Sequence, residues 1–205
     1  MNRFYKDWKE QCKKVLKDPS IRYARIAYSG DKGNSEIDWP KIRNPLRMIF
    51  TAFIFEILRK TPPCKIKNSI YRLFGVRIGK NVAIAYNVLP DPLFPELITL
   101  EDNVMIGSDC ELATHEFVRD WFGIGRIVIK KNAMISAYNL IRAGTAVGEG
   151  AMTGIFSYVN KDVPSEEIWV GIPAKLLKKI EGSLKPEHDT EISYYDGRKI
   201  HSTRQ

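Results

Sequence analysis

Residues 129–159 read IKKNAMISAYNLIRAGTAVGEGAMTGIFSYV, and a period of six runs through the whole stretch. Ile129, Ile135, Ile141, Val147, Thr153 and Val159 stand six apart. Four residues after each of the first five come Ala133, Asn139, Thr145, Ala151 and Ser157, all small or short and polar. Gly148 and Gly154 directly follow two of the repeat positions. The same register appears upstream at Leu100, Ile106 and Leu112, with Val104, Cys110 and Gly107 in place, and earlier still at Ile78 and Ile84, with Gly79 and Val82.

A period of six sustained over thirty residues fits neither the helical repeat of 3.6 nor the strand repeat of 2. It fits a three-sided coil in which each flat side takes about six residues and successive coils pair as parallel strands. The aliphatic residue fills the interior, the small residue fits the corner, and glycine is expected to relieve the backbone where the chain turns. Ile78 to Val159 then supplies roughly four to five coils of a parallel β-helix. Two interruptions break the count, from Ile84 to Leu100, with Pro90, Pro92 and Pro95 inside it, and from Leu112 to Ile129, which holds THEFVRDWFGIGR. Both are expected to be loops leaving the coil, where chemistry is often carried.

The open ends of such a coil expose unpaired backbone and need covering. Upstream, Phe4, Trp8, Cys12 and Val15 mark one face of a first helix, and Leu46, Ile49, Phe50, Phe53, Ile54 and Ile57 mark the face of a second. Downstream, Ala174 to Ile180 reads as a short helix after Pro173. The expected organisation is a helical and basic capping region over 1–75, the β-helix over 76–164, a closing segment with a short helix over 165–180, and a polar tail over 181–205.

The chain has 205 residues, of which 44% are hydrophobic and 27% charged, a globular composition. Cys12, Cys64 and Cys110 form no CxxC pair, which points away from a disulfide framework or a thiolate zinc site and toward a reducing cytoplasm. The charged start carries no secretory signal pattern, and the apolar run from Leu46 to Leu58 falls short of the roughly 20 residues of a membrane span. Of the net charge of +8, residues 41–80 carry +9: ten Lys or Arg oppose Glu56 alone. This belt is either a solvated face around a packed helix or a peripheral contact to an anionic membrane or acceptor. No nucleic-acid recognition motif accompanies it.

Three stretches resemble the hexapeptide-repeat acyltransferases, a superfamily that includes galactoside, maltose and serine acetyltransferases: PELITLEDNVMIGSDCELATHE (95–116), the six-spaced run 129–159, and SYVNKDVPSEEIWVGIPAK (157–175). The resemblance implies a left-handed β-helix, a homotrimer, and acetyl-CoA as donor to the hydroxyl or amine of a small acceptor, such as a sugar or sugar derivative, with no metal. It implies a coenzyme A groove at the coil edge between subunits. Met134 stands where galactoside-type relatives often carry tryptophan beside the pantetheine arm, and Ser136 and Ala137 lie opposite the thioester end. Ile155, Ser157, Asn160 and Lys161 follow along the groove. Lys175 and Lys178, otherwise plain solvated charges, meet the phosphates.

Acyl transfer needs a general base within hydrogen-bond reach of the acceptor, and histidine suits the task near neutral pH. Of three histidines, His188 and His201 lie in the tail, while His115 sits on the second interruption and matches the family's catalytic position. Its plainer reading is a surface histidine bonded to Glu116 or Asp120. Glu116 is a candidate to fix the ring, as is a backbone carbonyl. Asn87 is either a turn residue or an acceptor-side contact. The competing classes are a non-catalytic β-helix scaffold and a γ-type carbonic anhydrase, which needs three histidines per metal where the repeat region holds one.

Overall fold

The computed structural model describes residues 3–27, 35–180, 191–195 and 200–204. The repeat region is a three-faced parallel β-helix. One face stacks Arg77–Ile78, Ile98–Leu100, Ile127–Ile129 and Ala146–Val147. The second stacks Ala83–Ile84, Met105–Ile106, Met134–Ile135, Met152–Thr153 and Glu167–Val170. The third stacks Leu89–Pro90, Glu111–Leu112, Leu140–Ile141 and Tyr158–Val159. Parallel register puts like on like: Ile78 beside Leu100, Ile106 beside Ile135, Leu112 beside Ile141. These repeat positions form one buried apolar core.

The corners obey a rule that the aliphatic period alone does not reveal. Asn81, Asn103, Asn132 and Glu166, and then Asn87, Asp109, Tyr138 and Phe156, all adopt left-handed φ values between 53° and 63°. Each follows an inward position by three residues, so the turn itself uses Asn and Asp, which tolerate this conformation, more than glycine. The glycines one residue after the inward position serve a different need. A Cβ at Gly107 would stand 2.6 Å from the Ala137 nitrogen, and one at Gly148 would stand 2.3 Å from the Ser165 nitrogen. They permit close stacking of coils, which corrects the expectation that they relieve the turn.

The two interruptions leave from the same corner, between the third and first faces. Pro90, six after Ile84, is buried in the inward position and pairs with Leu112. Its missing N–H falls on the edge of the first coil, where no preceding strand needs it. The first insertion is therefore only the short segment after Pro90. The second is not a loop but a β-hairpin, His115–Val118 with Trp121–Gly125, to which Tyr23–Ala27 adds a third antiparallel strand. Alternation of side chains along that hairpin builds a second core from Trp8, Cys12, Val15, Ile42, Leu93, Phe94, Leu97, Phe122 and Ile124. Helix α1 (Arg3–Lys17) packs there through Trp8, whose ring meets Phe122 edge-on at 5.4 Å. The expected α1 face holds at Trp8, Cys12 and Val15, while the Phe4 side chain lies outside the described residues. The guanidinium of the buried Arg126 donates to the carbonyls of Val15 and, at 3.1 Å, Asp18, closing the end of α1.

Helices α2 (Pro45–Arg59) and α3 (Lys65–Leu73) cover the open end of the first coil. Side chains of α3 replace the missing strand. Lys67 Nζ donates to the carbonyls of Thr61, Ile84 and Ala85 at 2.9, 3.2 and 2.8 Å. Asn68 donates to Val82 at 2.8 Å, and Arg72 to Ile78 and Gly79 at 2.9 and 2.8 Å. Backbone acceptors at a buried edge are thereby satisfied. On α2 the buried side is Thr51, Phe55 and Leu58, with Phe55 edge-on to Tyr71 at 4.8 Å. The face expected to pack, Leu46, Ile49, Phe50, Phe53 and Ile57, is exposed, and Ile54 is half-buried. An α2 that is apolar on both sides gives the sequence no means of choosing between them.

At the far end, Lys175–Lys179 is a strand, not the expected helix; it pairs antiparallel with Glu167–Val170. The free edge of the last strand offers hydrogen bonds that outweigh the local helical preference. Further on, Glu191–Tyr195 pairs with Ile200–Arg204; His188 and the side chain of His201 lie outside the described residues.

Candidate active site

The two insertions meet at Asp91 and His115. Asp91, on the first, is almost wholly buried and accepts hydrogen bonds from Leu93 N at 2.8 Å, Thr114 N at 2.9 Å and Thr114 Oγ1 at 2.6 Å. The same carboxylate oxygen that takes the Thr114 bonds also bonds His115 Nδ1. A ring held through Nδ1 directs Nε2 the other way. Phe94, Phe117 and Phe122 surround the imidazole, with centroids 6.2, 5.0 and 6.2 Å away. Arg43 anchors the first insertion by a two-pronged pair with Glu96 at 2.7 and 2.9 Å.

Burial pulls the His115 pKa down, but the Asp91 charge and hydrogen bond, with Glu111 and Glu36 behind them, push it up, and the balance lies above 6.5. Burial pushes the Asp91 pKa up, yet the His115 charge and the bonds from His115, Thr114 and Leu93 hold it below 3.8. The result is a carboxylate–imidazole couple that holds one tautomer and raises the basicity of Nε2, an arrangement suited to general base chemistry.

Glu116 does not hold the ring. Adjacent strand residues point apart, and the Glu116 carboxylate takes Arg142 Nε at 2.5 Å and Nη2 at 2.9 Å. Asp91 was missed because it lies 24 residues from His115 in sequence, and only the shared corner brings them together. The one available signal was the buried inward position of Pro90, which fixes where the insertion begins. Asn87 is also engaged elsewhere. Its left-handed turn sits beside α2, its Oδ1 accepts from Arg59 Nε at 2.9 Å and Lys60 Nζ at 3.0 Å, and its Nδ2 bonds Asp109. It ties the cap to the coil.

The residues expected along the cofactor groove fall into three groups. Met134, Ser136, Ala137 and Ile155 lie on the outer second face and its corner with the third. Met134 is flanked in register by Met105 and Met152, and Ile155 is 63% exposed. Lys178 pairs with Ile168 and Lys175 with Val170 across a bulge, which puts both lysines on that outer side. Asn160 and Lys161 instead line a cleft of about 490 Å³ at another corner, with Arg22, Arg142 and Trp169. Ser157 is buried: its hydroxyl donates to the Gly154 carbonyl at 2.8 Å and accepts from Gly171 N at 3.1 Å, a corner-closing role. His115 follows the third-face strand Glu111–Leu112, so within one chain it and the Ser136–Ala137 corner occupy different edges of the prism. One side of six residues spans roughly 15–20 Å.

The chain is a member of a known class, the hexapeptide-repeat acyltransferases. YvoF of Bacillus subtilis, which is named as an acetyltransferase, is 32% identical over 133 residues, covering 64% of this chain and 77% of YvoF. A hexapeptide-repeat acetyltransferase of Vibrio cholerae superposes with a TM-score of 0.60 at 20% identity, over 83% of this chain and 99% of that one, and a second structure of it holds acetyl coenzyme A. A maltose O-acetyltransferase of Clostridium difficile has the same fold, with a TM-score of 0.54 at 20% identity over 67% and 88% of the two chains. No protein-family model matches the chain.

Proposed function

We propose that the chain moves an acetyl group from acetyl-CoA to a hydroxyl or amine of a small acceptor, a sugar or sugar derivative, with His115 as general base and Asp91 as its positioning residue. The observation that carries this is the bond between His115 Nδ1 and the buried Asp91 carboxylate. His115 Nε2 takes the acceptor proton as the acceptor oxygen or nitrogen attacks the thioester carbonyl carbon. The tetrahedral oxyanion is met by backbone N–H donors of the coil. It collapses with cleavage of the C–S bond, and the imidazolium returns the proton to the coenzyme A thiolate.

Acetyl-CoA as donor is supported by family membership and by the Vibrio cholerae complex. A sugar acceptor is supported by the half-buried Phe117 ring, 5.0 Å from the imidazole, and by the carboxylate of Glu111, close enough to act on His115. Apolar walls with a few acceptors for hydroxyl protons suit a polyhydroxyl ligand. A homotrimer is supported by the separation of His115 from the Met134–Ala137 edge, since a neighbouring protomer can bring such an edge to His115. The test is coenzyme A release measured over a panel of sugars, amino sugars and small amines, together with thermal shift by acetyl-CoA. A chain that gives no shift and no release is a scaffold instead.

A further inference from the structure

The cap over the first coil leaves an apolar surface open. Helix α2 exposes Leu46 at 80%, with Ile49, Phe50, Phe53 and Ile57, and α3 exposes Ile66 and Leu73, the latter at 83%. They lie on the sides opposite the buried Thr51, Phe55 and Leu58 of α2 and the buried Lys67, Asn68 and Tyr71 of α3. The α3 residues that bond the coil therefore face one way and its exposed apolar residues the other. The helices are joined by Phe50 and Phe55 against Phe74, at 5.9 and 5.6 Å. Large apolar side chains gathered this closely on a surface mark a contact with something other than water.

The rim of the surface is basic. Arg47 and Lys65 are exposed beside it, Lys60 and Arg72 stand at its margin with their side chains turned to Asn87 and to the carbonyls of Ile78 and Gly79, and its acidic residue, Glu56, pairs with Arg59 at 3.2 Å. We propose that this face docks on a membrane surface rich in anionic phospholipid, with α2 lying in the plane of the interface. A 15-residue helix is about 22 Å long, short of the roughly 30 Å hydrocarbon layer. Among the described residues no helix is long and apolar enough to cross a membrane. Apolar side chains entering the acyl boundary beneath a ring of Lys and Arg match the chemistry of interfacial helices. A second copy of the same face is a poorer occupant, because a symmetric contact brings two basic rims together. The docking does not depend on which acceptor the enzyme uses.

The experiment is flotation of the full chain with phosphatidylcholine vesicles made with and without phosphatidylglycerol. The variants are Ile49→Ser/Phe53→Ser and Arg47→Glu/Lys65→Glu, with light scattering and thermal melting run in parallel. The full chain is expected to float with the anionic vesicles and to be released by salt. Each double variant should lower partition by roughly tenfold or more while keeping its oligomer and its melting temperature. Failure of the full chain to float, or equal flotation with vesicles lacking phosphatidylglycerol, overturns the proposal. So does an Ile49→Ser/Phe53→Ser protein that folds but loses its oligomeric state, since the face is then a subunit contact. If that variant does not fold, the charge-reversal variant decides: unchanged flotation overturns the proposal.

Discussion

His115 Nδ1 and the carboxylate of Asp91 are hydrogen-bonded across two separate insertions that leave the β-helix at one corner. The neutral imidazole is the form that accepts a proton, and its pKa lies above 6.5 because Asp91 outweighs the effect of burial. The acid limb of kcat/KM is therefore expected above that of an ordinary histidine, with activity falling as the pH drops through it. Asp91→Asn should lower kcat by roughly a hundredfold or more, by freeing the tautomer, and should move the acid limb to lower pH. A purely structural role for Asp91 leaves the limb where it was, so the pH profile decides.

His115→Ala separates chemistry from binding. Within one chain the ring packs against Phe94, Phe117 and Phe122 and lies on a different edge of the prism from Met134, Ser136, Ala137 and Ile155. Transfer is expected to fall by roughly 10²–10⁴-fold while acetyl-CoA affinity, read by calorimetry, stays nearly unchanged. Retained turnover removes His115 as the base.

Glu116 and Arg142 form a pair whose side chains are 21% and 31% exposed, apart from the imidazole. Glu116→Gln should leave the acid limb in place and cost about 1 kcal/mol of stability, because water partly screens the pair. A shift of the limb in this variant would return Glu116 to the ring. Chemical unfolding and the same pH profile read both outcomes.

The fold was legible because the inward residues recur in sequence with the geometry of the prism, and nothing distant needs to be known to see Ile129, Ile135 and Ile141 as one register. His115, the proposed base, was legible for a similar reason, since it stands at a break in that register. Its partner was not: Asp91 and His115 meet through stacking of coils, and neither the hairpin nor its third strand from Tyr23–Ala27 follows from a local pattern. Lys175 and Lys178 were read on a helix and stand on a strand, yet a bulge still gives them one side. Ser157, which the resemblance places along the groove, stands at the buried corner that its place in the repeat assigns to a small residue.

Lys67 tests how the open end of the β-helix is sealed. Its ammonium reaches three carbonyls while 1% exposed, and among the described residues no strand pairs on the outer side of Ala83–Ile84. Lys67→Met keeps much of the side-chain volume and removes every donor, so about 2–4 kcal/mol of stability is expected to be lost, a melting temperature lower by roughly 5–15 °C. Burial pulls the Lys67 pKa down to about 8 from 10.5 in the free side chain. A base with a depressed folded pKa binds its proton more weakly when folded, so wild-type stability gains from this group as the pH rises from 8 toward 10.5. The methionine variant has no such gain, and the gap between the two proteins should widen over that window in urea unfolding. An absent gap means that the first coil is closed by Asn68 and Arg72 without help from Lys67, whereas a gap that narrows with rising pH means that the three carbonyls hold the ammonium above its free pKa.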